Sequence, residues 1–290
     1  ARNTQTILRS GVTSVSIPGG TWFIDVALRE AINAGMLEGP RIYCAGRFIV
    51  TYGSISDNEP SWVGTPEHLN GVLANNVSDM VTEVRRQTKH GVDFIKMAAE
   101  AGMDWIMHAD LATEADLDAV AEAGVRIMPT VTFLKHAVEN GRDFGRSEQE
   151  VDQIKHNLEG AVSVLETARK LGVKVMCGTD TGNSPVMPYG LLHANEAEIM
   201  VKYGGYSPME AIVASTRDNA FSVGLENDLG VIEAGKLADI IVLDKDPVAD
   251  VSVLQAGRHL SWVIKDGKIV DLDPKGDGEE TVLSLRPAAD

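Results

Sequence analysis

The 290-residue sequence is short of cysteine, of basic charge and of long apolar runs, and each shortage excludes something. Its two cysteines, Cys44 and Cys177, sit inside apolar strand-like runs, which suits buried thiols better than a disulfide framework. Lys and Arg number 26 against 42 Asp and Glu, a formal net charge of −16. Such a surface repels nucleic acid and anionic lipid, so neither is expected as a partner. No apolar run approaches the roughly 18–20 residues of a membrane span. The first residues also lack the basic and apolar segments of a secretory leader. Hydrophobic content of 44% still suffices for a sizeable core, and the length suits one large domain with an appendage. The expectation is a cytoplasmic protein of enzyme size.

One local pattern recurs: a helix-like stretch ends at glycine and a short β-rich run follows. Gly11-Val-Thr-Ser-Val15, Gly91-Val-Asp-Phe-Ile-Lys-Met97 and Gly102-Met-Asp-Trp-Ile-Met-His108 are the first three instances. Gly124-Val-Arg-Ile-Met-Pro-Thr130 and Gly172-Val-Lys-Val-Met-Cys-Gly-Thr-Asp180 follow, and Arg41-Ile-Tyr-Cys-Ala-Gly46 is a further strand introduced by Gly39-Pro40. Glycine takes the left-handed conformation that closes a helix, and the apolar runs are short enough to be buried parallel strands. Between them lie amphipathic helices. Thr113–Ala123 opens with an N-cap threonine and the acids Glu114 and Asp116 in its first turn. Glu148–Leu171 carries Val151, Ile154, Leu158, Val162 and Leu165 on one face.

Alternating strand and helix predicts an α/β fold with a parallel sheet. Lys96, His108 and Asp180 end their strands, which is where a (β/α)8 TIM-like barrel keeps its chemistry. No Gly-x-Gly-x-x-Gly fingerprint follows any strand, which disfavours a doubly wound dinucleotide fold. Gly91 and Gly102 are only 11 residues apart, too close for a strand plus a crossover of about a dozen residues. Together with an opening inside a helical stretch, this leads us to expect missing segments before residue 1 and near Glu100. Six barrel strands are then visible where eight are expected; a smaller natural α/β fold is the alternative. The barrel is assigned to residues 1–226 and a small β-sandwich module to 227–290, where Asp266-Gly267 predicts a hairpin turn.

Several longer motifs now carry a resemblance. Gly230-Val-Ile-Glu-Ala-Gly-Lys-Leu-Ala-Asp-Ile-Ile-Val-Leu-Asp244, Asp246-Pro247 and Val263-Ile-Lys-Asp-Gly-Lys268 resemble the C-terminal signature of the amidohydrolase superfamily. Ser207-Pro-Met-Glu-Ala-Ile-Val-Ala-Ser-Thr216, Asn219-Ala220 and Gly224-Leu225 resemble its last helices. Asp93-Phe-Ile-Lys-Met97 and Gly178-Thr-Asp-Thr-Gly182 are similar to its fourth and eighth strand ends. The branch is similar to imidazolonepropionases and Xaa-Pro dipeptidases. Tyr52-Gly-Ser-Ile-Ser-Asp57 through Asn75-Asn76, and Met187-Pro-Tyr-Gly-Leu-Leu-His193, most resemble the bacterial hydrolases of phenylurea and thiocarbamate herbicides.

The resemblance implies one or two divalent metals, zinc foremost, held at the barrel mouth by Lys96, His108 and Asp180. The family's His-x-His pair on the first strand and its fifth-strand histidine have no counterpart, and they fall where segments are expected to be missing. Lys96 can carry CO2 as a carbamate and bridge two metals, or simply form a salt bridge with a carboxylate. His108 is implied as a metal ligand, or as a group that polarises the substrate carbonyl. Asp180 is implied as both ligand and proton acceptor from metal-activated water, although Thr-Asp-Thr-Gly could also be a plain Asx-turn. His193 is implied as a substrate contact, with a surface histidine as the alternative. No role is assigned to His68, His90, His136, His156 or His259. Tyr52, Trp62 and Phe133 could line an apolar pocket, or belong to the core.

The activity implied is metal-dependent hydrolysis of a C–N bond in a small amide, urea or (thio)carbamate, with xenobiotics among the substrates and homo-oligomers as the assembly. Xaa-Pro dipeptides or an imidazolonepropionase-like substrate are the runner-up. Two other classes fit the bare residues: a Schiff-base lysine lyase built on Lys96, and a binding protein without catalysis.

Overall fold

The computed structural model describes residues 2–52, 71–96, 104–182 and 187–273. They fall into two compact units, one built on Thr13–Gly102 and the other on Thr6–Val12 with Met103–Asp290.

In the first unit, β1 (Ser14–Ile17) pairs in parallel with β2 (Arg41–Cys44), from Ser14 opposite Arg41 to Ile17 opposite Cys44. Their crossover carries helix α2 (Ile24–Asn33), which follows helix α1 (Arg2–Arg9) in the chain. A second parallel pair, β3 (Phe48–Val50) with β4 (Gly71–Leu73), has no counterpart among the strands expected from the sequence. Its strands are three residues each, too short to leave a period of two. Helix α3 (Val77–Lys89) starts at Asn76, whose side chain accepts from the Asp79 N–H at 3.0 Å. The run expected as a strand at Gly91–Met97 is not regular strand over its described residues. It is tied into the unit by Asp93 N–H to Cys44 O at 2.8 Å and Ile49 N–H to Lys96 O at 3.2 Å. The Glu100–Ala101 junction, where a gap is expected, lies outside the described residues.

The second unit contains a βαβ step in the expected order. Strand β5 (Trp105–Met107) leads through α4 (Glu114–Ala123) to β6 (Arg126–Met128), and the two strands pair in parallel. Thr113 and Asp116 form a reciprocal capping box at the start of α4, as the sequence predicts. Ser147 and Glu150 do the same for α6 (Glu148–Leu171), which follows α5 (Val131–Asn140). Gly124 and Gly172 close α4 and α6 at φ of 67° and 72°, a conformation that carries no Cβ penalty in glycine.

The third run of this unit, Gly172–Asp180, is shorter as a strand than its apolar sequence predicts. It contributes one parallel bridge, Val175 with Ile127, supported by Ile127 N–H to Lys174 O and Met176 N–H to Ile127 O. Gly178 lets it lie close to β6, since a Cβ there would sit 2.3 Å from Met128 Sδ. Among the described residues the parallel strands occur as these pairs and do not close into a barrel.

Packing centres on a buried apolar cluster that includes Leu117, Ile127, Val131, Leu165 and Met200. On α6 the buried seam is Val151, Ala161, Val164, Leu165 and Ala168. Ile154, Leu158 and Val162 from the expected face pack at its margin, so the long helix turns its deepest contact toward its C-terminal half.

Beyond α7 (Asn195–Lys202) and α8 (Pro208–Val213), strands β7 (Ile240–Leu243), β8 (Leu260–Lys265) and β9 (Lys268–Ile269) form an antiparallel sheet. Asp266 and Gly267 both take positive φ, 50° and 73°, the signature of the hairpin turn their sequence predicts. Leu8 of α1 packs with Val263 of β8 and with Val270, just beyond β9. A second sheet of the expected sandwich is not among the described residues. No helix among them is long and apolar enough to cross a membrane. Cys44 and Cys177 are free thiols, and burial pushes both up to about 12, which keeps them protonated.

Candidate active site

Three residues with side chains stand at positive φ just after β5, just after β6 and at the end of the Gly172–Asp180 run: His108 at φ 72°, Thr130 at 56° and Asp180 at 51°. A β-branched residue such as Thr130 rarely adopts positive φ, and each such position costs on the order of 1–3 kcal/mol. The strain therefore gathers at the C-terminal ends of neighbouring strands, where parallel α/β folds hold their chemistry. His108 extends the ladder by one step, its N–H donating to Met128 O at 2.9 Å, before the backbone turns. Its Nδ1 then lies 2.8 Å from Thr130 Oγ1. Asp180 sits between Thr179 and Thr181, whose hydroxyls meet at 2.6 Å.

Behind these ends the last run is fastened by the helices that follow it. Asn219 Nδ2 donates to Cys177 O at 2.8 Å, and Ser215 Oγ donates to Cys177 Sγ at 3.1 Å. The Asn219-Ala220 motif thus acts structurally, fixing the run that delivers Asp180.

Several polar groups nearby carry no signal in the sequence. Glu196, on α7, is fully buried. One carboxylate oxygen accepts from Val131 N–H at 2.9 Å; the other accepts from Thr132 N–H at 2.8 Å and Thr132 Oγ1 at 2.6 Å. Burial pushes Glu196 up to about 7, opposed by those hydrogen bonds from Thr132 and Val131 and reinforced by the charge of Asp110. Burial also raises Asp110 to about 6, and its Oδ1 has no hydrogen-bond partner among the described residues. In sequence Glu196 looks like one more acid in the first turn of its own helix. Only tertiary packing turns it toward another helix.

The remaining expected site residues are placed as follows. His193 precedes α7, and burial lowers it to about 4, so the ring is neutral at pH 7. Its Nε2 is buried without a hydrogen-bond partner among the described residues, and the Tyr189 ring centroid is 6.4 Å from its own. Lys96 belongs to the first unit, with Nζ 4.9 Å from the centre of the Phe48 ring. Among the described residues no three His, Cys, Asp or Glu side chains gather into a metal site.

Phe133 packs against the main apolar cluster, so it is core. Tyr52 is exposed, and Trp62 and His68 lie outside the described residues. His90 stacks on Phe23 at 4.2 Å, and His259 pairs with Asp244 at 2.8 Å.

An α/β chain with polar strand ends of this kind is the class to which barrel hydrolases belong. The model of the amidohydrolase family matches residues 1–270, and the chain belongs to that family. Ochratoxinase of Aspergillus niger is 27% identical over 252 residues, which cover 83% of this chain and 48% of that protein. The chain thus spans about half the length of that relative. A structure of a Xaa-Pro dipeptidase with methionine in its active site superposes at a TM-score of 0.78 and 24% identity, over 93% of this chain and 77% of that one. Molinate hydrolase superposes at 0.70 and 22% identity, over 99% and 78%. The branch named from the sequence motifs is the one in which these neighbours fall.

Proposed function

We propose that this chain forms the body of a metal-dependent amidohydrolase that splits a C–N bond of a small amide, urea or (thio)carbamate with activated water. The observation that carries this reading is the pair of strand ends. His108 follows β5 and Asp180 ends the neighbouring Gly172–Asp180 run, both at positive φ, and Thr130 Oγ1 lies 2.8 Å from the His108 ring. The donors fit a divalent ion in kind. When Nδ1–H donates to Thr130, the ring's lone pair stands on Nε2, and an imidazole with a carboxylate suits zinc. His108 and Asp180 would hold such an ion. When bound, a divalent ion polarises the scissile carbonyl and lowers the pKa of water toward ~7.

The chain's own groups do the rest. The Asp180 carboxylate takes a proton from the attacking water and hands it to the leaving nitrogen. Neutral His193 offers its buried Nε2 to the substrate. Similarity to ochratoxinase and molinate hydrolase favours amide and thiocarbamate substrates. The higher TM-score of the Xaa-Pro dipeptidase makes dipeptides the second reading. A cytoplasmic homo-oligomer is the proposed setting.

The test uses the full-length protein. At least one equivalent of divalent metal, with hydrolysis of a phenylurea, thiocarbamate or Xaa-Pro panel lost to chelator and restored by zinc, is the expected result. Activity that survives chelation, or a carbonyl substrate trapped on Lys96 by borohydride, would overturn it.

A further inference from the structure

Thr130 stands at the N-terminus of α5, where a threonine ordinarily turns its hydroxyl onto the helix's first free N–H groups. Here it makes no such bond. Its Oγ1 is committed to His108 Nδ1 at 2.8 Å. The first two N–H groups of α5, from Val131 and Thr132, are instead satisfied one on each oxygen of Glu196. A carboxylate from another helix has taken over the cap that Thr130 gives up.

Glutamate is seldom fully buried, and this one faces a helix N-terminus whose dipole favours a negative charge. We infer that Glu196 is a positioning residue: it caps α5 in place of Thr130 and so leaves the Thr130 hydroxyl to orient the imidazole of His108. The inference rests on His108 serving the reaction proposed above. It adds a residue that touches neither substrate nor metal.

The substitution that tests it is Glu196→Gln. The amide keeps the volume but accepts at one oxygen only, so one buried N–H of α5 loses its partner. The Thr130 hydroxyl then turns back to the helix, and the His108 ring is released. In full-length protein, zinc affinity and kcat should each fall about 10–100-fold, the range for groups that orient a metal ligand, with KM changed less than about threefold. The nitrogen NMR signals of His108 in metal-free protein should shift toward those of an unrestrained imidazole.

A double-mutant cycle separates this role from a simple staple between helices. Thr130→Val removes the same hydroxyl, so Glu196→Gln should cost little more in the Thr130→Val background. Should Glu196→Gln fail to fold, Thr132→Val, which removes one of the three bonds to Glu196, should show the same shift in smaller measure. Additive losses, or an unchanged His108 signal with unchanged zinc affinity, would overturn the inference. A parent protein without metal or hydrolysis would instead sink the proposed function, and the nitrogen signals would still report on Glu196.

Discussion

The two units hold their strands in different ways. In the second, fully buried Ile127, Leu165, Met176 and Met200 stand in an apolar interior, and the cluster reaches from α4 to α8. In the first, the buried residues include Asp25, Arg47, Glu83 and Gln87. Asp25 accepts from Gly46 N–H at 2.8 Å, Arg47 donates to Gly71 O at 2.7 Å, and Gln87 donates to Arg47 O at 2.6 Å. Parallel strands in both units are only three or four residues long, and in the first unit these polar and charged groups tie the strand ends directly. Such ties are specific but costly: Asp25 Oδ1 and Gln87 Oε1 have no hydrogen-bond partner among the described residues. In the second unit the apolar cluster is joined by fewer buried charged ties, chiefly those of Glu196 to the start of α5.

The largest effect should come from Asp180. Asp180→Asn keeps the size and one acceptor oxygen but cannot take a proton. General acid–base catalysis contributes about 10²–10⁴-fold, so kcat should drop by that order while the unfolding free energy stays near that of the parent. Metal content must be measured alongside, because loss of a ligand would lower occupancy too. An Asp180→Asn enzyme with near-parent kcat and full metal would remove Asp180 from the mechanism.

The contrast in cohesion is sharpened by one deletion in each unit. Leu165→Ala, in the packed interior, should cost about 2–5 kcal/mol by denaturant unfolding. Asp25→Ala leaves the Gly46 N–H buried without its acceptor and should cost about 1–3 kcal/mol. If Asp25→Ala proved the more damaging of the two, polar ties rather than packing would dominate stability, and the comparison would have to be reversed.

What is legible in the sequence follows the same division. The second unit is readable because its signals are local: capping boxes at Thr113 and Ser147, glycines closing α4 and α6, and an Asp-Gly turn in the terminal hairpin. The polar ends of its strands also stand out against apolar runs, which singles out His108 and Asp180. The first unit is harder to read. Strands β3 and β4 are too short for a period, and what holds them comes from side chains distant in sequence. Glu196 escapes for a related reason: a first-turn glutamate normally serves its own helix, and nothing local says that this one caps another.

The smallest effect concerns His193, proposed as a substrate contact, whose Nε2 is buried without a hydrogen-bond partner among the described residues. His193→Asn should raise KM several-fold and change kcat less, as fits loss of a substrate contact. Its titration gives a second check. The ring's folded value of about 4 lies below the unfolded 6.5, so the unfolded chain binds the extra proton first as pH falls. The stability that neutral His193 confers is therefore complete above about pH 6.5 and is lost progressively toward pH 4. Unfolding followed from about pH 7.5 down to about pH 5 should show the gap between parent and His193→Asn steady at first and then moving against the parent. A gap that stays constant across that range would mean the ring titrates alike in the native and unfolded protein, and His193 would then be a solvated surface histidine rather than a buried acceptor waiting for substrate.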